Sequence, residues 1–196
     1  MADLEKLRAN LEARGFRTTY FPTADEAAAY LDGQIDGKTV GIGGSMTVKE
    51  MGLYPRLAAP TQVVWHWEGG ALRDAVLTDV YITSANALAE TGEIVNIDGN
   101  GNRVSSTLYG HQKVYFLVGV NKVAPDFEAA LWRARNVAAP KRAQSMGCRT
   151  PCAAKADRCY DCKSPERICR GLAVLWARPN ATEEMEVVLI GEALGM

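Results

Sequence analysis

The sequence predicts an α/β fold: an open doubly wound sheet, mostly parallel, with a cysteine-rich excursion near the carboxyl terminus. Short apolar runs alternate along the chain with helical patterns, which is the order that right-handed βαβ crossovers produce. The apolar runs do not alternate with polar residues, as expected of parallel strands covered by helices on both faces. A chain of 196 residues, 47% of them hydrophobic, is long enough to form one such core, and we expect a single domain over residues 1–196.

Strands are expected where short runs of β-branched and aromatic residues are bounded by turn residues. These runs are 18–21, 38–42, 61–67, 79–83, 93–97, 113–120 and 186–190. Helices are expected where a capping residue or an apolar stripe of helical period occurs, at 2–14, 23–31, 48–58 and 126–136, with a short helical turn at 85–90. Periodicity is weak in 140–179, which we interpret as a basic, cysteine-rich metal-binding segment.

Charge is distributed unevenly along the chain. The net charge of -1 predicts no binding of nucleic acid or of a membrane surface by the molecule as a whole. However, residues 129–170 hold ten basic and three acidic residues, a balance of +7. This asymmetry predicts an anionic neighbour, which could be a thiolate cluster, a phosphorylated ligand or an acidic partner, unless the segment is simply a solvated face. Without a signal peptide or a long apolar run, we expect a cytoplasmic protein that does not enter membranes.

Glycines and hydroxyls follow the strand predicted at 38–42. Gly43 and Gly44 allow close approach of the backbone to a ligand, and Ser45 and Thr47 add hydroxyl groups. Thr47 also opens a predicted capping box that would place a helix N-terminus beside Ser45. The segment therefore predicts an anion cradle, with a tight strand-to-helix turn that binds nothing as the alternative. The spacing of Gly41 and Gly43 does not fit a dinucleotide fingerprint, and 37–39 is not a P-loop, because it precedes its strand and lacks the required earlier glycine.

Polar residues and glycines follow three further predicted strands, and parallel strands would place them at the same edge of the sheet. They are Ser84 and Asn86, then Asp98, Gly99, Gly101, Asn102 and Arg103, and finally Asn121 and Lys122. Arg103 suits bidentate contact with a carboxylate or phosphate, and Lys122 could neutralise an anion. The alternatives are helix capping by Ser84 or Asn86, a hairpin turn at Asp98 and Gly99, and a surface lysine. Together the strand ends predict a site for a small anionic metabolite.

All five cysteines lie between Cys148 and Cys169. Cys152, Cys159, Cys162 and Cys169 have the spacing C-x6-C-x2-C-x6-C, which is typical of a tetrathiolate site. This spacing predicts a metal centre, either zinc or an iron–sulfur cluster, with free or redox-sensing thiols as the alternative. Cys148 has no assigned role. The two histidines, His66 and His111, are far apart and His66 falls within a predicted strand, so the sequence offers no nucleophile-and-base pair typical of a hydrolase.

Several of these segments, taken together and in order, resemble the LUD domain family, which includes the LutC/YkgG-type lactate-utilisation proteins. The segments are 43–47, 84–87, 92–103, 119–122, 135–140 and 150–152. The resemblance implies a fold like that of the NagB/RpiA/CoA-transferase superfamily and an association with the oxidation of L-lactate to pyruvate. Glu90 and Glu93 are the candidates for the glutamate typical of CoA-transferases.

The expected function is that of a lactate-utilisation subunit that binds a small anionic metabolite at the strand ends and a metal centre through four cysteines. Iron–sulfur oxidoreductase subunits, or further copies of this chain, would be its partners. Two alternatives stay open at this point. One is a non-catalytic, zinc-stapled binding or assembly module, and the other is an acyl-CoA or sugar-phosphate enzyme of the same superfamily.

Overall fold

A parallel sheet of six strands organises the chain in this computed structural model, which describes residues 3–35 and 37–196. The strand order is β1-β10-β7-β4-β2-β3, and each neighbouring pair is parallel. The strands are β1 (Arg17–Phe21), β2 (Val40–Ile42), β3 (Val63–Trp65), β4 (Val80–Thr83), β7 (Lys113–Gly119) and β10 (Glu184–Ile190). The predicted α/β class is confirmed, since apolar strands of this kind are stable only when both faces are covered.

Helices cover both faces of this sheet. The helices of the described residues are α1 (Leu4–Ala13), α2 (Ala24–Gln34), α3 (Met46–Glu50), α4 (Leu53–Ala58), α5 (Asn102–Leu108), α6 (Phe127–Arg133), α7 (Ala139–Ser145) and α8 (Pro151–Lys155), of which α6 packs on a second sheet. On one face, Leu31 of α2 and Leu57 of α4 pack in a core with Ile82 of β4. On the other face, Leu11 of α1 packs in a second core with Tyr81, the neighbour of Ile82 in the same strand. No helix within 3–35 and 37–196 is long and apolar enough to cross a membrane.

A second sheet lies beside the first and was not expected. It contains β8 (Val123–Ala124), β5 (Ala87–Ala89), β6 (Ile94–Asp98) and β9 (Gly171–Leu175) in that order. The prediction of a helical turn at 85–90 is wrong, because β5 pairs antiparallel with β6 and parallel with β8. The strand predicted at 93–97 exists but belongs to this mostly antiparallel sheet, where β6 also pairs with β9.

Several predicted boundaries also change. The helix predicted at 48–58 is two short helices, separated at Gly52, whose φ of 60° is left-handed. The helix predicted at 126–136 continues as α6, a π-helical turn (Ala134–Ala138) and α7, so that it runs into the segment 140–179. That segment also contains α8 and β9, and the pairing of β9 with β6 returns it to the domain. Residue 2, where the first helix is predicted to begin, lies outside the described residues.

Candidate functional site

The loops that follow β2, β4 and β7 meet at the carboxyl edge of the parallel sheet, because these three strands are neighbours in it. Between them lies a cavity of about 230 Å³, which we call the main cleft. The loop after β6 forms one side of this cleft, and α7 forms another. Its polar lining residues are Ser45, His66, Ser84, Asn86, Asp98, Asn100, Asn102, Arg103, Lys122 and Arg142, together with the backbone of Gly44 and Gly99.

Lys122 lies at the buried end of the main cleft. Its side chain is inside the protein, and the residue is 4% exposed. The ammonium donates hydrogen bonds to Thr47 Oγ1 at 2.6 Å and to Ser84 Oγ at 2.9 Å. Burial, together with the positive charges of Arg133 and Arg103, lowers the pKa of Lys122 to about 7. Two hydroxyls solvate the ammonium but do not neutralise it.

No ion pair among the described residues includes Lys122. A buried ammonium without a carboxylate partner is expensive in free energy, and proteins keep such groups where a ligand or a reaction uses them. Lys122 is not a surface lysine, the alternative considered from the sequence, because its side chain is buried. Lys122 is therefore the residue of the cleft best suited to receive an anion.

Arg103 is half-buried, and its guanidinium is occupied by the protein itself. Its terminal nitrogens donate to the carbonyls of Ser84 and Ile97 at 3.1 and 2.6 Å and to the side-chain oxygens of Asn86 and Asn96. Burial lowers the pKa of this arginine. Arg103 thus connects the loop after β4 to strand β6. The sequence predicts that this guanidinium contacts a ligand, but in the structure its hydrogen bonds go to acceptors of the protein.

Asp98 ends β6 and caps helix α5. Its carboxylate accepts hydrogen bonds from the backbone N–H groups of Arg103 at 2.9 Å and Val104 at 3.1 Å. The hairpin turn considered at Asp98 and Gly99 does not form, because β6 pairs with β5 and β9 and the chain turns directly into α5. Against the Asp98 carboxylate the main cleft is lined by Arg103, Lys122 and Arg142, so it keeps an excess of positive charge.

Two residues that the sequence did not single out as ligand-binding also line the cleft, and one of them, Arg142, adds to this excess. His66 follows β3 in a short 3-10 turn, and its Nδ1 has no hydrogen-bond partner among the described residues. Arg142 of α7 lies over the ring of Trp67, with 5.0 Å between its guanidinium carbon and the ring centroid. Burial lowers the pKa of both His66 and Arg142. The sequence could have indicated His66, because it follows β3, a strand that pairs with β2, and the ends of neighbouring parallel strands lie close together.

The family profile of the LUD domain matches residues 4–190. The chain belongs to the LUD domain family. This membership makes it a lactate-utilisation-type protein in the general sense. Among solved structures, a DUF162 family protein from Deinococcus radiodurans is similar over 96% of each chain, with a TM-score of 0.57 and 12% sequence identity, a likeness that concerns the fold alone. No curated protein matches this chain.

Four residues predicted at the site of this LUD domain protein do not line the main cleft. Thr47 lies behind Lys122 and holds it, whereas Ser45, not Thr47, caps α3 through its contact with the N–H of Val48. Gly43 packs beneath the cleft, where a Cβ would stand 2.7 Å from the hydroxyl of Tyr81. The other two serve local turns: Gly101 precedes α5 and Asn121 binds the backbone of Leu194.

The two glutamates proposed by analogy with CoA-transferases lie outside the cleft of this LUD protein. Glu93 forms an ion pair with Arg14 at 2.6 Å, and Glu90 forms one with Lys6 at 3.5 Å. Neither residue lines the main cleft. Their role in the structure is to attach α1 to the turn between β5 and β6.

The predicted cysteine ligands lie together around a second, smaller cavity, which we call the cysteine cavity. Cys152, Cys159, Cys162 and Cys169 all line it, along with Arg135, Thr150 and Arg167. Cys148 does not line it, and all five cysteines are free thiols. Ala139 and Ile168 line both cavities of this LUD protein, so these two residues form a shared wall.

Proposed function

We propose that this protein binds a small carboxylate of the lactate and pyruvate class in the main cleft, as a subunit in the oxidation of L-lactate to pyruvate. The observation that carries the proposal is the buried ammonium of Lys122, which has two hydroxyl partners and no ion pair among the described residues. A ligand carboxylate would supply the missing negative charge. Burial makes this contact stronger than it would be in water.

The size and lining of the cleft support a small ligand. A volume of about 230 Å³ lies below the range of about 300 to 1,000 Å³ that is usual for drug-sized ligands. Arg142 adds a second cation to the lining, and the unpartnered Nδ1 of His66 can accept a hydrogen bond from a hydroxyl or, in the Nδ1–H tautomer, donate one to a carbonyl oxygen. A 2-hydroxy or 2-keto carboxylate presents both kinds of group within one small molecule.

The oxidation of L-lactate to pyruvate releases two electrons and two protons, which other groups must accept. We propose that an iron–sulfur oxidoreductase subunit takes the electrons, as the family resemblance implies. His66 is the candidate acceptor of one proton, because burial lowers its pKa and its Nδ1 has no hydrogen-bond partner among the described residues, whereas Lys122 stays charged against the carboxylate and the second proton passes to water. In this proposal the present chain supplies the carboxylate site.

Isothermal titration calorimetry with the full chain tests the proposal directly. L-lactate and pyruvate should bind, and lactamide, which lacks the carboxylate, should bind at least tenfold more weakly. Lys122→Met removes the ammonium but keeps a side chain of similar length, so affinity for both carboxylates should fall at least tenfold. Lys49→Met is the matched control, because Lys49 is an exposed lysine on α3 outside the cleft, and it should leave the affinity unchanged.

Other outcomes would contradict this function. Binding of sugar phosphates or acyl-CoA without binding of L-lactate or pyruvate would favour the enzyme classes of the wider superfamily. Equal affinity of wild-type and Lys122→Met protein for pyruvate would remove Lys122 from the site. Failure of all these anions to bind would mean that the main cleft has another purpose.

A further inference from the structure

The four cysteines of the cysteine cavity come from three different local structures. Cys152 lies on α8, Cys159 and Cys162 lie in the irregular chain that follows, and Cys169 precedes β9. All four nevertheless line one cavity, whereas Cys148, the remaining cysteine, does not. Convergence of thiols from three elements is what a shared ligand would require, and it is independent of the spacing in the sequence.

The side chains around the cysteine cavity are not arranged for a single ion. Within 3–35 and 37–196, no three His, Cys, Asp or Glu side chains are placed so that they could hold one metal ion. A single zinc would require its four sulfurs to lie about 2.3 Å from one point. In a cubane cluster the four cysteines bind four different irons, and their sulfurs stand farther apart.

Polar groups around the sulfurs suit thiolates. Asp161 has a left-handed backbone with φ of 43°, and its N–H donates to Cys159 Sγ at 3.4 Å. A guanidinium nitrogen of Arg135 lies 3.9 Å from the same sulfur. The hydroxyl of Thr150 is 3.3 Å from Cys152 Sγ. Hydrogen bonds of this kind to the sulfurs are among the features that set the reduction potential of iron–sulfur clusters.

Arg167 fixes the geometry of this loop and adds positive charge. Its guanidinium donates to the carbonyls of Cys162 and Cys169, both at 2.9 Å. Arg135 and Arg167 place two positive charges beside the cavity, of which Asp161 offsets one, and the remaining charge would reduce the two negative charges that a cubane cluster with four thiolates carries in its oxidised state.

We propose that Cys152, Cys159, Cys162 and Cys169 hold a [4Fe–4S] cluster. The cluster would stand directly behind the main cleft, because Ala139 and Ile168 form the wall between the two cavities. A second consequence, which rests on the proposed carboxylate function, is that a ligand in the main cleft should perturb the cluster across this wall.

Anaerobic purification of the full chain tests the cluster. We expect about four irons and four acid-labile sulfides per chain, and an electron paramagnetic resonance signal of a half-integer spin after one-electron reduction by dithionite. These measurements use the wild-type protein, so they do not depend on a variant that folds. Zinc without sulfide would overturn the proposal in favour of a zinc-stapled module. Protein that contains no metal and takes up no iron on reconstitution would overturn it as well.

Two cysteine variants provide the matched comparison. Cys159→Ser should lose most of the iron, whereas Cys148→Ser should retain it, because Cys148 lies outside the cavity. Equal loss in both variants, with folding verified by circular dichroism, would contradict the ligand set. A final measurement adds pyruvate to the reduced protein, which should shift its resonance spectrum. An unchanged spectrum with pyruvate bound would refute contact across the wall, whereas absence of binding by calorimetry would instead refute the proposed function.

Discussion

The main cleft and the cysteine cavity share the wall formed by Ala139 and Ile168, yet the two sites are assembled in opposite ways. The main cleft draws its lining from residue 44 to residue 196, through loops that meet only because their strands are neighbours. The four thiols of the cysteine cavity all come from residues 152–169. The first site depends on the whole fold, and the second depends on a local loop that the fold holds in place.

The two regions also use positive charge differently. In the main cleft, Lys122 and Arg142 are without ion pairs among the described residues, which leaves them available to an anion from outside. At the cysteine cavity, Arg135 and Arg167 contact both Asp161 and the cysteine loop. The basic residues of 129–170 therefore reach both cavities, Arg142 the main cleft and Arg135 and Arg167 the cysteine cavity, which the summed charge of the chain conceals.

The largest effect that would separate the two regions is expected from Arg103→Ala. This change removes the donor to two carbonyls and two side-chain amides, of which the Ser84 carbonyl and the Asn96 amide belong to buried residues, whereas Asn86 Oδ1 keeps the N–H of Ile97. Loss of a charged network of this kind typically costs about 3 to 5 kcal/mol in the free energy of unfolding. Urea denaturation measures the loss of stability. Pyruvate affinity should also fall, because the loop after β4 and strand β6 are no longer held together at the cleft.

The exposed Arg73 provides the control for this prediction, since Arg73→Ala should change stability by less than about 0.5 kcal/mol. In the folded fraction of Arg103→Ala the iron content should remain that of the wild type, because Arg103 does not line the cysteine cavity. A variant that lost anion affinity while keeping full stability would show that Arg103 contacts the ligand instead of supporting the loops.

Gly99→Ala should affect both regions at once, with a smaller cost. A Cβ at this position would stand 2.8 Å from the carbonyl oxygen of Ile168, which belongs to the cysteine segment. Because backbone atoms yield little, we expect a loss of about 1 to 3 kcal/mol in the free energy of unfolding, together with weaker pyruvate binding and an altered cluster spectrum. Gly33→Ala in α2 is the control: its Cβ meets nothing within 4 Å, so it should stabilise the protein by about 0.5 to 1 kcal/mol. A change in only one region would show that the two sites are independent.

The parallel sheet could be predicted because its strands carry their signal locally, as apolar runs such as that of β7. Strand β5 could not, since Ala87–Ala89 has little intrinsic preference for a strand and acquires that structure from its pairing with β6 and β8. Gly43 likewise has a structural cause that only the fold reveals, the hydroxyl of Tyr81 beneath it.

The candidate site was predictable to the extent that parallel strands deliver their loops to one edge. That rule identified Lys122 and Ser84, but it could not indicate which cation the protein would neutralise itself. Arg103 and Lys122 look equivalent in the sequence, and only the structure shows that one has four acceptors while the other has two hydroxyls. Arg142 escaped the rule because a helix, and not a strand end, brings it to the cleft.

The smallest effect expected here is a pH dependence that belongs to the main cleft alone. Lys122 in the free protein has a pKa lowered to about 7, chiefly by burial and then by Arg133 and Arg103, while Glu50 opposes the shift. A bound carboxylate favours the charged ammonium, so the pKa rises in the complex. Affinity should therefore be constant below about pH 7 and should fall above it, by up to tenfold per pH unit, until the pH reaches the pKa of the complex.

Calorimetric titration of pyruvate between about pH 6 and 9 measures this dependence, and near pH 8 each binding event should take up close to one proton from the buffer. His66, which also faces the cleft, does not account for the window, because burial lowers its pKa from 6.5 and leaves it neutral there. Lys122→Arg keeps a positive charge throughout this range, so any binding that it retains should lose the pH dependence. A wild-type affinity that stayed constant from pH 7 to 9 would mean that the anion does not sense the charge of Lys122, and the distinction drawn between Lys122 and Arg103 would then have no functional meaning.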